Sequence, residues 1–264
     1  MNLDEERAFG GLRRLYGSRG HERIRAARVA VVGVGGVGSW AVEALARSGV
    51  AQLVMIDLDH VSESNLNRQL QATLASLGMA KVQALRERIA IIHPRCDVIT
   101  IEDFVTPENW PGLLPDHVDA VIDACDQAGA KRAMASWALH TKVRHVCVGA
   151  AGGKQSAQMV KVDDLSATTH DPLLAGLRQR LRRDGQAPRR GGIGLRCVYS
   201  TESAQLPKTA ADKDEANPEA TPSAACLAAA DLNCHGYGSS VVVTATFGMA
   251  AAGECIRQLI EDSG

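Results

Sequence analysis

The sequence predicts an α/β fold: a doubly wound, mostly parallel, Rossmann-like sheet with a smaller C-terminal extension and a mobile loop. Three observations lead there. Near-continuous apolar runs read as strands buried on both faces. They alternate with helical segments, which implies right-handed crossovers between parallel strands. The first run also ends at a glycine-rich turn, Gly33-Val34-Gly35-Gly36-Val37-Gly38, that opens a helix.

Arg28 to Val32 is the first strand, Ser39 to Arg47 a helix and Ala51 to Asp57 the second strand. A helix from about Met79 to Ile92 stops before Pro94, whose ring disfavours helix in the residue before it. Asp97 to Ile101 and Val118 to Asp123 are the third and fourth strands. A helix through Lys131 to His140 leads to a fifth strand, His145 to Gly149. Past Gly153 the rhythm changes, which divides the chain into a core, 1–153, and an extension, 154–264, packed on it. In the extension, Ala157 to Val162 reads as a strand, Leu173 to Arg183 as a basic helix after Asp171-Pro172, and Cys197 to Ser200 as a strand. Residues 207–225 hold almost no large apolar side chain and read as a mobile loop. Ser239 to Ile260 is an apolar, small-residue helix suited to packing on the sheet.

Composition removes several classes. The chain has 264 residues, enough for one sizeable core. A formal net charge of −1 means that any nucleic-acid surface must be local. No apolar run reaches the roughly 20 residues of a transmembrane helix. The start, Met1 to Glu6, is acidic and lacks a signal peptide's apolar stretch. Seven cysteines without framework spacing suit a reducing cytoplasm, and no CxxC pair occurs that would hold structural zinc.

The glycine turn is the first chemical signal. Gly33, Gly35, Gly36 and Gly38 let the backbone approach a phosphate, and the helix start supplies N–H groups and a positive dipole. Asp57, 19 residues after Gly38, ends the next strand where a carboxylate can accept ribose hydroxyls. These residues alone admit NAD, another nucleotide, or a purely structural tight turn. The segments beyond Asp57 separate the three. Asp57-Leu58-Asp59 leads to Asn65-Leu66-Asn67-Arg68-Gln69, then Gly78-Met79-Ala80-Lys81, then Asp123-Ala124-Cys125-Asp126.

Together these elements resemble the adenylation signature of the ubiquitin-activating-enzyme-like superfamily: a glycine loop, a DxD, an NxxRQ, a Gly-x-x-Lys and a DxxD, in that order. The resemblance implies ATP and Mg²⁺ as cofactors and activation of a carboxylate at the α-phosphorus, with loss of pyrophosphate. It assigns Arg68 and Lys81 to the phosphoryl charge, which cations are suited to stabilise. Read without it, both would be solvated helix charges. It further implies that Asp57 binds ribose, that Asn65 and Gln69 line the nucleotide pocket, and that Asp126 holds Mg²⁺, a cation preferring carboxylate and phosphate oxygens. Asp59 and Asp123 are open between supporting and capping roles.

Within the superfamily the chain resembles the tRNA-dehydratase branch over nearly its whole length. The matching stretches are Arg7 to Gly17, Thr169-His170-Asp171-Pro172-Leu173, Cys197 to Glu202 and Val243 to Gly248. The implied reaction is ATP-driven ring closure of a carboxylate-bearing threonylcarbamoyl adenosine in tRNA, in a homodimer, with 1–153 as adenylation core and 154–264 as substrate-binding extension. A sulfur-mobilising protein is a possible further partner. Two alternatives stand beside it: a sulfur-carrier adenylyltransferase without zinc, and a non-catalytic adaptor for nucleotide and tRNA. Adenylating relatives begin RYxRQ, and Gly11 stands where that arginine belongs; Arg7, Arg13 or Arg14 are candidates to replace it.

A tRNA substrate needs cationic surface. From Arg178 to Arg196 there are seven arginines against one acid, Asp184. Arg182, Arg183, Arg189 and Arg190 are the candidate RNA contacts, a solvated charge run being the plainer reading. Aromatic residues are only 3% of the chain, so phosphate and shape recognition are expected over base stacking. Cys125, Cys147 and Cys255 read as core. Cys234, after the loop, stands where relatives place a reactive thiol.

Overall fold

The computed structural model describes residues 4–205 and 237–261. The expected loop at 207–225 and Cys234 lie outside them. Among the described residues the strands are β1 (Arg28–Val32), β2 (Gln52–Ile56), β3 (Asp97–Ile101), β4 (Ala120–Asp123), β5 (Arg144–Val148), β6 (Val160–Asp164) and β7 (Arg196–Ser200). They form one sheet in the order β3-β2-β1-β4-β5-β7-β6. All neighbouring pairs are parallel except β6 with β7, which is antiparallel. The doubly wound fold is therefore present, and the extension's strands continue the core's own sheet.

Alternation along each strand splits the packing in two. Val29, Val31, Leu53, Met55 and Ile122 meet the helices α2 (Gly38–Arg47), α3 (Lys81–Ile92) and α6 (Val241–Ile260). Ala30, Val32, Val54 and Val121 meet α4 (Ala128–Thr141), and Cys147 and Cys197 face α5 (Pro172–Arg183). The period of two for a strand buried on both faces produces this division. Asp171 caps α5 by accepting the Leu174 N–H at 3.0 Å, with Pro172 at the first helical position.

Two elements differ from expectation. Ala157 to Val162 is a short 3₁₀ turn, Ala157–Met159, followed by β6, so the strand starts later and runs to Asp164. Residues Glu5–Ala26, given no element by the sequence, form a long helix α1, kinked at Gly17 where φ is 72°. Its stability comes from tertiary contacts. Gly20 lies against Ile260, the Arg23 guanidinium donates to the Ile260 carbonyl at 2.6 Å, and Phe9 is buried under Arg25 and His93. No described helix is long and apolar enough to cross a membrane.

His145 on β5 is buried, and neither ring nitrogen has a hydrogen-bond partner. Burial lowers its pKa from 6.5 to about 4. Between those values the unfolded chain binds a proton that the folded chain does not, so stability falls as pH drops through the window. The full loss is roughly 3 kcal/mol at about 1.4 kcal/mol per unit. Thermal unfolding between pH 7 and 4 should show this slope, and His145→Leu should flatten it.

Candidate active site

The glycine turn lies at the carboxyl ends of β1, β2 and β4, where open α/β sheets bind ligands. Gly33 has φ 78°, and a side chain there would lie 3.0 Å from the Ala124 carbonyl and the Cys125 nitrogen. At Gly38 a Cβ would sit 1.8 Å from the Gly33 carbonyl oxygen. Glycine is therefore required at both by close backbone approach. No side chain caps the first turn of α2; its Ser39, Trp40 and Ala41 N–H groups donate to the Gly35 and Val37 carbonyls at 3.2 Å.

Asp57 joins this turn to the second strand. One carboxylate oxygen accepts the Val34 N–H at 2.7 Å and the other the Asp59 N–H at 2.9 Å. Burial raises its pKa, opposed by the Lys81 ammonium and these two N–H groups. A carboxylate offers about four acceptor positions, so hydrogen-bonding capacity remains beyond the two used here. Asp59 has a definite place: its carboxylate binds the Lys81 Nζ at 2.6 Å and its carbonyl accepts the Lys81 N–H at 2.9 Å. Lys81, the first residue of α3, is 6% exposed, so its ammonium is held at the site.

The NxxRQ segment folds over the glycines. The Arg68 methylenes come within 3.5 Å of the Cβ position of Gly36, and the Gln69 amide within 3.8 Å of that of Gly35. Trp40 Nε1 donates to the Arg68 carbonyl at 3.0 Å, and Ser39 Oγ accepts the Leu70 N–H at 3.2 Å. The Arg68 guanidinium donates to the Ser64 carbonyl at 2.6 Å and to Asn67 Oδ1 at 2.9 Å. The Asn65 side-chain oxygen accepts the Ser62 N–H at 3.0 Å, closing a capping box. Asn67 reaches the Ser239 carbonyl at 3.0 Å, tying the segment to the chain entering α6.

The DxxD turn comes directly after β4. Asp123 is fully buried, its Oδ1 accepts the Cys125 N–H at 3.2 Å, and its Oδ2 pairs with Lys131 Nζ at 2.8 Å. Both oxygens are thus used within the fold, beside the turn that carries Asp126. Lys131 was hidden to sequence reading although a signal existed. It stands with Met134, Ala135 and Ala138 at helical spacing, a lysine on an otherwise apolar face. Trp40, Ser39 and Gln71, whose amide donates to the Val34 carbonyl at 2.9 Å, gave no signal, since the contacts that tie them to the site are distant in sequence. Cys147 and Cys255 are core, as expected, while Cys125 is only partly buried and points its thiol at Asp123 at 3.1 Å.

The arginine run is elsewhere. Arg178 is spent on the Leu165 and Thr168 carbonyls at 3.0 Å each, and Arg196 pairs with Glu254 at 3.0 Å. Asp171, at the start of α5, accepts the Ala150 N–H just past β5, so α5 begins at the carboxyl rim. Its 12 residues then run back about 18 Å to the opposite rim, where β7 begins. Arg183, Arg189 and Arg190 are exposed there, while Arg182 is partly buried and donates to the Gly191 carbonyl at 3.3 Å. The structure thus gathers Arg68, Lys81, Asp57, Asp59, Asn65, Gln69, Asp126 and the glycines at one rim, and places the candidate RNA contacts at the other.

A sheet of this order with a glycine loop at its carboxyl rim is that of a Rossmann-like, nucleotide-binding α/β protein. The chain belongs to the ThiF family, whose model matches residues 10–263. It is 37% identical over 260 residues to the tRNA threonylcarbamoyladenosine dehydratase of Haemophilus influenzae, covering 97% of this chain and 94% of that one. Identity to the Escherichia coli protein of the same name is 38% over 255 residues, covering 96% and 93%. The crystal structure of the E. coli tRNA N6-threonylcarbamoyladenosine dehydratase in complex with ATP superposes with a TM-score of 0.83 at 35% identity, covering 98% of this chain and 96% of that one. Its AMP complex gives 0.82, again at 35% identity, covering 97% and 96%.

Close backbone approach makes a direct prediction. Gly38→Ala should destabilise the protein by about 1–3 kcal/mol, the range for overpacked sites, and should abolish ATP binding measured by calorimetry. Gly11→Ala, whose added carbon would meet only the Arg14 guanidinium at 3.9 Å, should leave ATP binding unchanged.

Proposed function

We propose that this protein is an ATP-dependent tRNA threonylcarbamoyladenosine dehydratase that adenylates the carboxylate of its substrate and closes it into a ring. The observation that carries this reading is the gathering of Arg68 and Lys81 around an uncapped, glycine-lined helix start, at a rim shared with the extension. Near full-length similarity to proteins of that name supports it.

In the first step a carboxylate oxygen attacks the α-phosphorus of ATP and pyrophosphate leaves. Lys81, drawn from Asp59, and Arg68, drawn from Ser64 and Asn67, stabilise the charge that builds on the phosphoryl oxygens. Asp57 accepts the ribose hydroxyls, and Asn65 and Gln69 shape the nucleotide pocket. Asp126 would hold Mg²⁺, which would neutralise phosphate charge when bound. The donor set fits: Asp126 offers a partly buried carboxylate in the turn packed against Gly33, and Mg²⁺ binds through one or two carboxylates plus substrate phosphates. In the second step a nitrogen of the same substrate attacks the activated carbonyl and AMP leaves. Because nucleophile and electrophile share one molecule, closure gains effective molarity without an enzyme thiol.

The extension, 154–264, supplies the substrate side. An open cavity of about 480 Å³, lined by Thr169, His170, Arg178, Ser203 and Tyr237 among others, lies at the carboxyl rim around the start of α5. The modified base enters there, and Arg182, Arg183, Arg189 and Arg190 hold tRNA phosphates at the far rim. The enzyme works as a cytoplasmic homodimer. One of Arg7, Arg13 and Arg14 takes the place of the arginine missing at Gly11; of these, Arg13 pairs with the exposed Glu6 at 2.9 Å.

Incubation with ATP, Mg²⁺ and modified tRNA should release pyrophosphate and AMP and reduce the nucleoside by one water in mass spectrometry. Pyrophosphate release without tRNA, driven by a small carrier protein, would overturn the reading in favour of a sulfur-carrier adenylyltransferase. Arg68→Ala and Lys81→Ala should each lower the rate of pyrophosphate release by about 10²-fold or more, as loss of one preorganised charge-stabilising group does. Neutralising Arg182, Arg183, Arg189 and Arg190 together should weaken tRNA binding and flatten its salt dependence while sparing ATP binding.

A further inference from the structure

We propose that Lys131 is a positioning residue for the divalent cation assigned to Asp126, acting through Asp123; this rests on the proposed role of the nucleotide site. The geometry is a short chain of contacts. Lys131 is fully buried on α4, and its Nζ meets Asp123 Oδ2 at 2.8 Å and the Asp123 carbonyl at 3.4 Å. The other Asp123 oxygen accepts the Cys125 N–H, and Ala124 N–H donates to the Val32 carbonyl at 2.8 Å. On its far side the same turn lies against Gly33, where a Cβ would approach within 3.0 Å of three of its atoms. The turn leading to Asp126 is thus clamped between the phosphate loop and one buried ammonium.

A buried charge pair of this kind is weak evidence for stability, since well-packed apolar residues can replace such pairs at no loss. Its position gives it another use. Groups that orient a metal ligand tune metal affinity, although they never touch the ion. Lys131 fixes the carboxylate that fixes the backbone one residue before Asp126. Removing it alone leaves Asp123 charged and unpaired in the core, so Lys131→Met is expected to unfold the protein. The informative variants are the neutral pair Asp123→Asn with Lys131→Met, and Lys131→Arg, which keeps the cation with a different shape.

The test is the affinity of a non-hydrolysable ATP analogue, measured by calorimetry with and without Mg²⁺. In the parent, Mg²⁺ should tighten binding. In the neutral pair, affinity without Mg²⁺ should stay within about twofold, while the tightening by Mg²⁺ should shrink by about 10-fold, the scale of losses in an outer shell. Lys131→Arg should fall between, and the KM for tRNA should stay unchanged in both. Parent-like tightening in either variant would overturn the inference alone. Equal loss of affinity with and without Mg²⁺ would also overturn it, leaving Lys131 a general structural residue. Failure of the site reading would show in the parent, as no tightening by Mg²⁺, and would take the inference with it.

Discussion

Two backbone N–H groups, those of Val34 and Asp59, converge on the Asp57 carboxylate at 2.7 and 2.9 Å. Much of the site hangs on that convergence. The first bond ties the glycine turn between β1 and α2 to the end of β2. The second fixes Asp59, whose carboxylate and carbonyl together hold Lys81. The glycine turn and the Lys81 ammonium are therefore set by one buried anion. Its raised pKa shows the desolvation that this placement costs, and the opposing N–H bonds and Lys81 show what offsets it.

The architecture was legible where local pattern decides it. Near-continuous apolar runs marked β1, β2, β3, β4, β5 and β7 to within a few residues, because a strand buried on both faces carries few polar side chains. The glycine spacing marked the turn, because a Cβ at Gly38 would meet the Gly33 carbonyl oxygen. The rest depended on contacts remote in sequence. Helix α1 is rich in glycine and arginine and has little propensity of its own; Gly20, Arg23 and Phe9 hold it through Ile260 of α6, His93 just past α3 and Gly49 in the turn after α2. Lys131 carried no chemical reading because its partner, Asp123, belongs to the preceding strand. Arg178 and Arg196 read as part of a basic surface, yet each is used to bind carbonyls or Glu254.

The two ends of the sheet divide the work that the proposed reaction demands. The carboxyl rim holds groups for a charged, compact transition state, each restrained before substrate arrives: Lys81 by Asp59, Arg68 by Ser64 and Asn67. Preorganisation of this kind stabilises developing charge without reorganising at the moment of reaction. The opposite rim carries the exposed arginines, whose attraction for phosphate is diffuse and long in reach. An extended polyanion can engage both rims at once, whereas a small acid can engage only the first. In the proposed reaction this division would place tRNA affinity and carboxylate activation on separate residues, and it results from the direction of α5 between the rims.

The central claim is that the substrate's own carboxylate attacks the α-phosphorus. Oxygen isotope transfer tests it most directly. Modified tRNA whose carboxylate carries ¹⁸O is incubated with ATP, Mg²⁺ and the protein, and AMP, pyrophosphate and inorganic phosphate are analysed by mass spectrometry. The account predicts one ¹⁸O atom in AMP and none in the other products. Label in inorganic phosphate would mean attack at the terminal phosphorus, and unlabelled AMP would mean that water, not the carboxylate, attacked the nucleotide; either result would contradict it.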